Sequence, residues 1–310
     1  MQVRESISPA KRRSGGRIWF KTARPFSLSA AISPVLVGTA IAVYQGHLNA
    51  LLFISTLLSS ASLQVGANFF NEYFDHRYGY DTAASLGAST VIFTGEMTAA
   101  QVLAGGIGSF VVAAIFGAVI IVSVGPQILL FGVAGMAIAY FYSARPFTLA
   151  IRGLGDPLVY LAMGLLMTWG AYYVQIPRWS WQAVAASIPV GLLVVSILNM
   201  NNIRDYPDDL AVNKRTIPVR FGQTFGRRYQ VVLVLGAYVI TTLLAGARIL
   251  PLLALGVWIT LPLALRIVDV ALHADDRRSF IPGMKSISLL HLLFGVALAV
   301  TIVLAAILGL

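Results

Sequence analysis

Residues 182–209 read QAVAASIPVGLLVVSILNMNNIRDYPDD. The stretch 182–200 carries no charged side chain and is close to the roughly 20 apolar residues a helix needs to cross about 30 Å of hydrocarbon. The run then ends in Arg204, Asp205, Asp208 and Asp209. The same juxtaposition occurs upstream, where the apolar stretch 50–70 leads into Asn68-Phe-Phe-Asn71-Glu72-Tyr-Phe-Asp75-His-Arg77-Tyr-Gly79-Tyr-Asp81. Two membrane-length helices with amides and acids gathered at one end set the expectation for the whole chain.

Working outward, apolar windows fall at 26–44, 50–70, 99–122, 127–143, 157–175, 182–200, 229–246, 250–270 and 286–309, which predicts nine transmembrane helices. The 310 residues are 58% hydrophobic and only 11% charged, with a mean hydropathy of +0.81, too few charges to cover a soluble globule. A closed barrel requires alternation with period two, which these runs lack. The expected fold is an all-α integral membrane bundle. Residues 1–25 form a cytoplasmic basic arm and 26–310 a single transmembrane domain. Because the acidic clusters sit on the second and sixth of nine spans, the bundle reads as two four-helix halves plus a final helix.

Charge sets the orientation. The connections YQGHLN, VGPQ, QIPRWS and AGAR are short, and of 22 Lys and Arg only Arg178 and Arg248 fall in them. All 12 Asp and Glu lie on the other side, with Arg4, Lys11, Arg12, Arg13, Arg17, Lys21 and Arg24 of the amino-terminal arm. The positive-inside rule makes that side cytoplasmic, with the carboxyl terminus opposite, and points to the cell membrane. The chain has no cysteine, which removes disulfides, thiolate metal sites and a cysteine nucleophile. The first 25 residues show no apolar core before a small-residue cleavage site, so no cleavable signal peptide is expected. The net charge of +10 reads as basic loops beside anionic lipid, with no nucleic-acid partner.

Spacing then gives the chemistry. Asn71 and Asp75 are four apart, as are Asn201, Asp205 and Asp209, so each set is expected to line one helix face. Gly79 is placed to end the first helix and let Asp81 fold back toward Asp75. Converging carboxylates repel unless a cation relieves them, and an all-oxygen ligand set suits Mg²⁺, which commonly bridges carboxylates to phosphate oxygens. Arg77, Arg145, Arg152, Arg204, Lys214 and Arg215 are the basic residues near enough in sequence to hold phosphates. Two competing readings stand beside this one. Asp and Asn at a membrane boundary often only cap helices or solvate a loop, and a cation-coupled transporter also needs intramembrane acids. Matching spacing on one side argues against the first; acids at one face rather than the midplane argue against the second.

The pair of motifs NxxNEYFDxxxGxD (from Asn68) and NNIRDxxxDxxxxKRTxxVRFG (from Asn201) resembles the UbiA superfamily of membrane prenyltransferases. Thr22-Ala-Arg24-Pro25 through Ala31-Ile-Ser33-Pro34-Val-Leu-Val-Gly38, Arg152-Gly153-Leu154-Gly155-Asp156 and Gly170-Ala-Tyr172-Tyr173-Val-Gln175 are most similar to its 1,4-dihydroxy-2-naphthoate polyprenyltransferases of menaquinone synthesis. The resemblance implies a nine-helix bundle with a polar cytoplasmic cavity open toward lipid. It implies a polyprenyl diphosphate and dihydroxynaphthoate as substrates, with loss of carbon dioxide. Asn71, Asp75 and Asp81 would hold one Mg²⁺, and Asn201 or Asn202, Asp205 and Asp209 a second. Asp75, Asp205, Lys214 and Arg215 carry over as catalytic, and Asn68, Tyr73, Arg77, Tyr142, Arg145, Arg152 and Arg204 as substrate-binding. Phe69, Phe70, Tyr73, Tyr142, Phe147 and Tyr160 are candidates for a π-rich wall around an allylic cation. Within the superfamily other acceptors occur, including 4-hydroxybenzoate, a chlorophyllide, haem or a glycerol phosphate lipid.

Some residues depart from the pattern or stay outside it. Glu72 stands where members commonly carry Asp, and its longer arm would keep it from the metal. No basic residue follows Asp81 before Arg145, where the family often has an Arg. His76 reads as an exposed loop residue and His291 as packing. Gly105-Gly106, and Gly132 with Gly135, read as close helix contacts. Asp275, Asp276, Arg277 and Arg278 read as a solvated loop, with substrate gating the minority alternative.

Overall fold

The computed structural model describes residues 15–79 and 90–310, and every regular element among them is helical. The short helix α1 (Gly15–Ala23) precedes α2 (Ser29–Tyr44), α3 (Ala50–Tyr78), α4 (Ala99–Val124) and α5 (Leu129–Phe141). The next span is interrupted: a wide π-type turn at Ala150–Leu154, α6 (Gly155–Val159), a second wide stretch at Tyr160–Leu166, then α7 (Met167–Gln175). α8 (Trp181–Arg204), α9 (Tyr206–Ala211), α10 (Ile217–Phe221) and α11 (Gln223–Gly246) follow. A 3₁₀ segment at Leu252–Thr260 runs into α12 (Leu261–His273), and α13 (Phe280–Leu308) closes the bundle.

Eight of these helical stretches are long and apolar enough to cross a bilayer. The expected fourth span is the exception. It is the shorter apolar helix Pro126–Phe141, which at 1.5 Å per residue is roughly 24 Å long and falls short of the hydrocarbon thickness. An apolar helix thus stands at the expected place but is shorter than a full span, because Gly125 and Pro126 interrupt it at one end and the Ser143–Phe147 turn ends it at the other.

Lipid tails are as apolar as leucine, so contact between these helices depends on close packing rather than on escape from water. Small residues permit it. A Cβ on Gly164 would lie 2.7 Å from the Cα of Gly191, so the span 150–175 and α8 meet backbone to backbone. A Cβ on Gly105 would sit 2.8 Å from both Phe69 and Trp19, which makes Gly105 the close contact that the sequence predicts. Gly132 is different: a Cβ there would meet nothing within 4 Å. Ile41, Leu193, Met200, Leu290 and Phe294, from α2, α8 and α13, fill the centre, and His291 is buried beside them.

The short connections share one end. The N–H of Asn49 donates to Gln175 Oε1 (2.7 Å), Arg178 Nη2 to Gln45 Oε1 (3.0 Å) and Gln182 Nε2 to the carbonyl of Ile249 (2.8 Å). Tyr44 Oη donates to the carbonyl of Leu310 (2.9 Å), putting the last residue at that end. The acidic motifs end their helices at the other. Gly79, at φ 74°, terminates α3 as its sequence position predicts. Asp81 and the arm residues Arg4, Lys11, Arg12 and Arg13 lie outside the described residues.

Candidate functional site

The second motif is shaped by a proline. Pro207 has no N–H to offer the carbonyl of Ile203, so α8 stops at Arg204. Gln223 Nε2 donates to the Ile203 carbonyl (3.3 Å) and Arg277 Nε to the Arg204 carbonyl (3.0 Å). The chain restarts as α9, with the N–H of Asp209 still donating to the carbonyl of Asp205 (2.8 Å). Asn201, Asp205 and Asp209 thus do not share the single unbroken helix face that their spacing predicts. The break lies at Asp205, yet all three still open on one cavity.

The first motif keeps its helical register. Ser60, Gln64, Ala67, Asn71 and Asp75 form a stripe along α3 that lines the same cavity, with Asn68 beside them. Ser143 Oγ donates to Asn71 Oδ1 and fixes the amide. Asn68 Nδ2 donates to the Ala23 carbonyl (2.9 Å) and to Ser27 Oγ (2.8 Å), tying α3 to the chain before α2. Glu72 points away from the cavity: it is 1% exposed, 3.7 Å from Arg24 Nη2, and accepts from the N–H of Ile92 (3.4 Å). Its absence from the polar mouth follows from that pairing, in line with the sequence expectation.

The sequence places Arg24 in the basic arm and in the Thr22-Ala-Arg24-Pro25 motif with no role of its own, yet it lines the cavity. Its backbone is left-handed (φ 52°, ψ 64°), which turns the chain ahead of Pro25, and its Nε is buried without a partner. The sequence signal available was the Arg-Pro step at the head of the first span. Lys214 Nζ donates to Asp209 Oδ1 (3.1 Å) and faces the cavity with 31% of its side chain accessible. Burial pushes the Asp209 carboxyl up, and Lys214 beside it pulls the other way. Burial alone would lower the Lys214 ammonium, but the Asp209 and Asp75 carboxylates outweigh it and hold the amine above the ordinary lysine value.

Tyr142, Asn202, Arg204 and Asp208 also reach this mouth. Arg204 grips Asp205 with Nε (2.6 Å to Oδ1) and Nη2. Other sequence candidates lie elsewhere. Arg77 sits over the Tyr73 ring and Arg145 over the Tyr78 ring, on a separate aromatic surface with Phe74 and Tyr140. Arg152 donates to the Pro146 carbonyl (3.1 Å), and the Arg215 backbone N–H donates to the Ile151 carbonyl (2.9 Å). Of the six aromatic wall candidates only Tyr142 lines the cavity; Phe26 and Phe131 do so without having been singled out. The run 275–278 is not a purely solvated loop, because Arg277 is paired with Asp208.

The cavity holds about 510 Å³ and has two chemistries. Its mouth is amide, carboxylate, ammonium and guanidinium. Below Asp75 it is mostly apolar, walled by Leu63, Met136, Met163, Leu166 and Met167 down to Thr56, Ile128 and Val174, with Ser59, Ser60 and Gln64 of α3 as the polar exceptions. Thr56 and Asp75 are separated along α3 by roughly 28 Å at 1.5 Å per residue, nearly the depth of a bilayer core. Gly132 and Gly135 of α5 both line this bore; Gly132 has open space in place of the helix contact its spacing predicts, while a Cβ on Gly135 would meet Leu63 of α3 at 3.9 Å.

A hard divalent cation fits the mouth. The oxygens available to it are those of Asn71, Asp75, Asn201, Asp205 and Asp209, and Asp209 Oδ2 is buried without a hydrogen-bond partner. Among the described residues no three acidic or imidazole groups form a cage of their own, so a cation here would draw on amide oxygens, phosphate oxygens or water as well. That pattern suits Mg²⁺ better than a dedicated all-protein cage would.

Fold and site together define a multi-pass helical membrane protein with an acid-lined mouth on an apolar bore. Comparison with known proteins makes this specific: residues 31–289 match the model of the UbiA prenyltransferase family, and the chain belongs to that family. It is 32% identical over 218 residues to the 1,4-dihydroxy-2-naphthoate octaprenyltransferase of Bacillus subtilis, covering 70% of each chain. To that of Mycobacterium tuberculosis it is 30% identical, over 91% of this chain and 95% of the other. A UbiA homologue from Archaeoglobus fulgidus, solved bound to GPP and Mg²⁺, superposes with a TM-score of 0.61 at 16% identity, over 91% of this chain and 99% of that one.

Proposed function

We propose that the protein transfers a polyprenyl group from its diphosphate to 1,4-dihydroxy-2-naphthoate, with loss of carbon dioxide. One observation carries the reading: both acidic motifs and Lys214 meet at the mouth of a single bore that is mostly apolar below them and nearly a bilayer deep. The mouth suits a diphosphate and the bore suits an isoprenoid chain. The naphthoate relatives support the acceptor, and the GPP- and Mg²⁺-bound homologue supports the donor and metal.

In this reading Asn71 and Asp75 would hold one Mg²⁺, and the sequence offers Asp81, outside the described residues, as a further ligand. Asn201 or Asn202, Asp205 and Asp209 hold a second. Bound there, Mg²⁺ supplies positive charge that stabilises the diphosphate as it leaves. Lys214 and Arg24 flank the same oxygens and add charge from the protein. Asn68 and Ser143 keep the first motif in place through their hydrogen bonds. The apolar bore excludes water, so the allylic C–O bond breaks where the cation cannot be quenched. The acceptor ring carbon bearing the carboxylate forms the new C–C bond. The electron pair of its bond to the carboxylate then returns to the ring as carbon dioxide departs, and diphosphate is released. By the positive-inside rule the mouth faces the cytoplasm of a cell membrane.

Purified protein in lipid nanodiscs, given polyprenyl diphosphate, dihydroxynaphthoate and Mg²⁺, is expected to release diphosphate and form the decarboxylated prenyl quinol by mass spectrometry. Product formation with 4-hydroxybenzoate but not dihydroxynaphthoate would overturn the acceptor. No diphosphate release with any acceptor would overturn the reaction.

A further inference from the structure

The acid motif on α8 and α9 is braced from a distant part of the chain. Removing an N–H at Pro207 frees a carbonyl at the break, and the next carbonyl, that of Arg204, also turns outward there. Arg277 Nε donates to it at 3.0 Å. The same guanidinium forks onto Asp208, with Nη1 3.3 Å from Oδ1 and Nη2 on Oδ2, while Asp205 Oδ1 stands 3.8 Å from Nη2. One planar group thus touches the last carbonyl of α8 and both neighbouring acids, a geometry that only a guanidinium provides.

The loop carrying Arg277 is itself anchored. Arg227 of α11 donates to the carbonyls of Ala271 (3.3 Å), Leu272 (3.1 Å) and Ala274 (2.7 Å), and its guanidinium lies 5.1 Å from the Phe280 ring centroid. Asp276 Oδ1 accepts from the N–H of Ser279 (2.8 Å) at the head of α13. Arg277 does not line the cavity, whereas Arg204, Asp205 and Asp208 do. It stands behind the site and acts through them.

We infer that Arg277 is a positioning residue for the divalent-cation site. It holds the α8–α9 break at the angle that aims Asp205 and Asp209 into the cavity, and it takes Asp208 as its own counter-ion so that this third carboxylate stays out of the metal shell. This rests on the metal reading above, and it adds a function for the α12–α13 loop. Groups that orient ligands from behind typically change metal affinity by about 10–100-fold when removed.

The test is Mn²⁺ titration of the detergent-purified protein followed by electron paramagnetic resonance, beside the Mg²⁺ dependence of turnover. Arg277→Gln is expected to weaken Mn²⁺ binding about tenfold and raise the half-saturating Mg²⁺ equally, while the rate at saturating Mg²⁺ stays within a few-fold of wild type. Arg277→Lys is expected to recover part of the loss, and Asp208→Asn, which removes one arm of the brace but leaves the Arg277 bond to the Arg204 carbonyl, to weaken Mn²⁺ binding less than Arg277→Gln does. Thermal melts identify any variant that fails to fold, and Arg277→Lys then decides the matter. Unchanged Mn²⁺ affinity in Arg277→Gln overturns the inference while leaving the reaction intact, as does an Asp208→Asn variant as defective as Asp205→Asn. Wild-type protein that binds no Mn²⁺ overturns the metal reading and this inference with it.

Discussion

The backbone N–H of Arg215 donates to the carbonyl of Ile151 across 2.9 Å, joining the Lys214-Arg215-Thr216 turn to the Arg152-Gly153-Leu154-Gly155-Asp156 segment. Gly153 makes the approach possible. Its φ is +83°, and a Cβ there would stand 2.6 Å from the Arg215 carbonyl oxygen. Gly153→Ala therefore faces both a left-handed backbone and a clash, together costing about 2 kcal/mol or more. Because Lys214 adjoins the clash, turnover is expected to fall more than stability. A thermal melt with a steady-state assay checks this; wild-type behaviour in both would show the contact to be dispensable.

Glu72 and Asp75 are both acids of the first motif but face different partners. Glu72→Gln weakens the pair with Arg24 and is expected to cost at most about 3 kcal/mol, because Arg24 keeps access to the hydrated mouth. Its half-saturating Mg²⁺ should stay within about twofold of wild type, since Glu72 lies off the cavity and its partners, Arg24 and the N–H of Ile92, are not among the proposed ligands, unlike Asp205 beside Arg277. Asp75→Asn is expected to retain the fold and lose turnover. Equal Mg²⁺ defects in the two variants would place Glu72 in the metal shell.

Both acidic motifs and most spans were legible because charges at the ends of apolar runs stand out against an 11% charged background. Local spacing also gave the α3 stripe, since Asn71 and Asp75 sit within one continuous helix. It failed at Asp205 because a periodic reading passes straight through Pro207, although the proline was a visible warning of a break. The roles of Arg24 and Arg277 were not legible, since Arg277 meets Asp208 across 69 positions and Arg24 enters the cavity only through its left-handed turn. Gly132 and Gly135 show the same limit. Small residues at helical spacing mark a close approach or an open bore equally well, and only the neighbouring helices decide which.

Lys214 governs the protonation of its partner. Burial raises the Asp209 carboxyl and the Lys214 charge opposes that rise, so Lys214→Met should let it climb further. A carboxyl with a raised folded pKa binds its proton more tightly than the unfolded chain does, so its stability contribution is lost as pH rises through the folded value. The thermal midpoint of metal-free Lys214→Met should therefore fall relative to that of wild type as pH rises above the ordinary carboxylate range. A gap that does not change with pH would separate Lys214 from Asp209.

Gly132 faces the bore with open space where a side chain would go, so filling it tests what the bore is for. Gly132→Leu adds a branched side chain to the wall without touching the polar mouth; glycine is about 0.8–1.0 kcal/mol less favourable than alanine in a helix interior, and leucine ranks just behind alanine. Stability is thus expected to hold or rise. The cost should appear in the donor: a long polyprenyl diphosphate must thread past position 132, whereas a short one ends above it. In competition between geranyl and a long-chain diphosphate, the variant is expected to shift toward geranyl by about tenfold, the scale on which pocket volume discriminates apolar ligands. Metal dependence and acceptor KM should not move. If the product distribution of Gly132→Leu matched wild type, the isoprenoid chain would have to lie outside the bore, along the lipid-facing surface of α4 and α5.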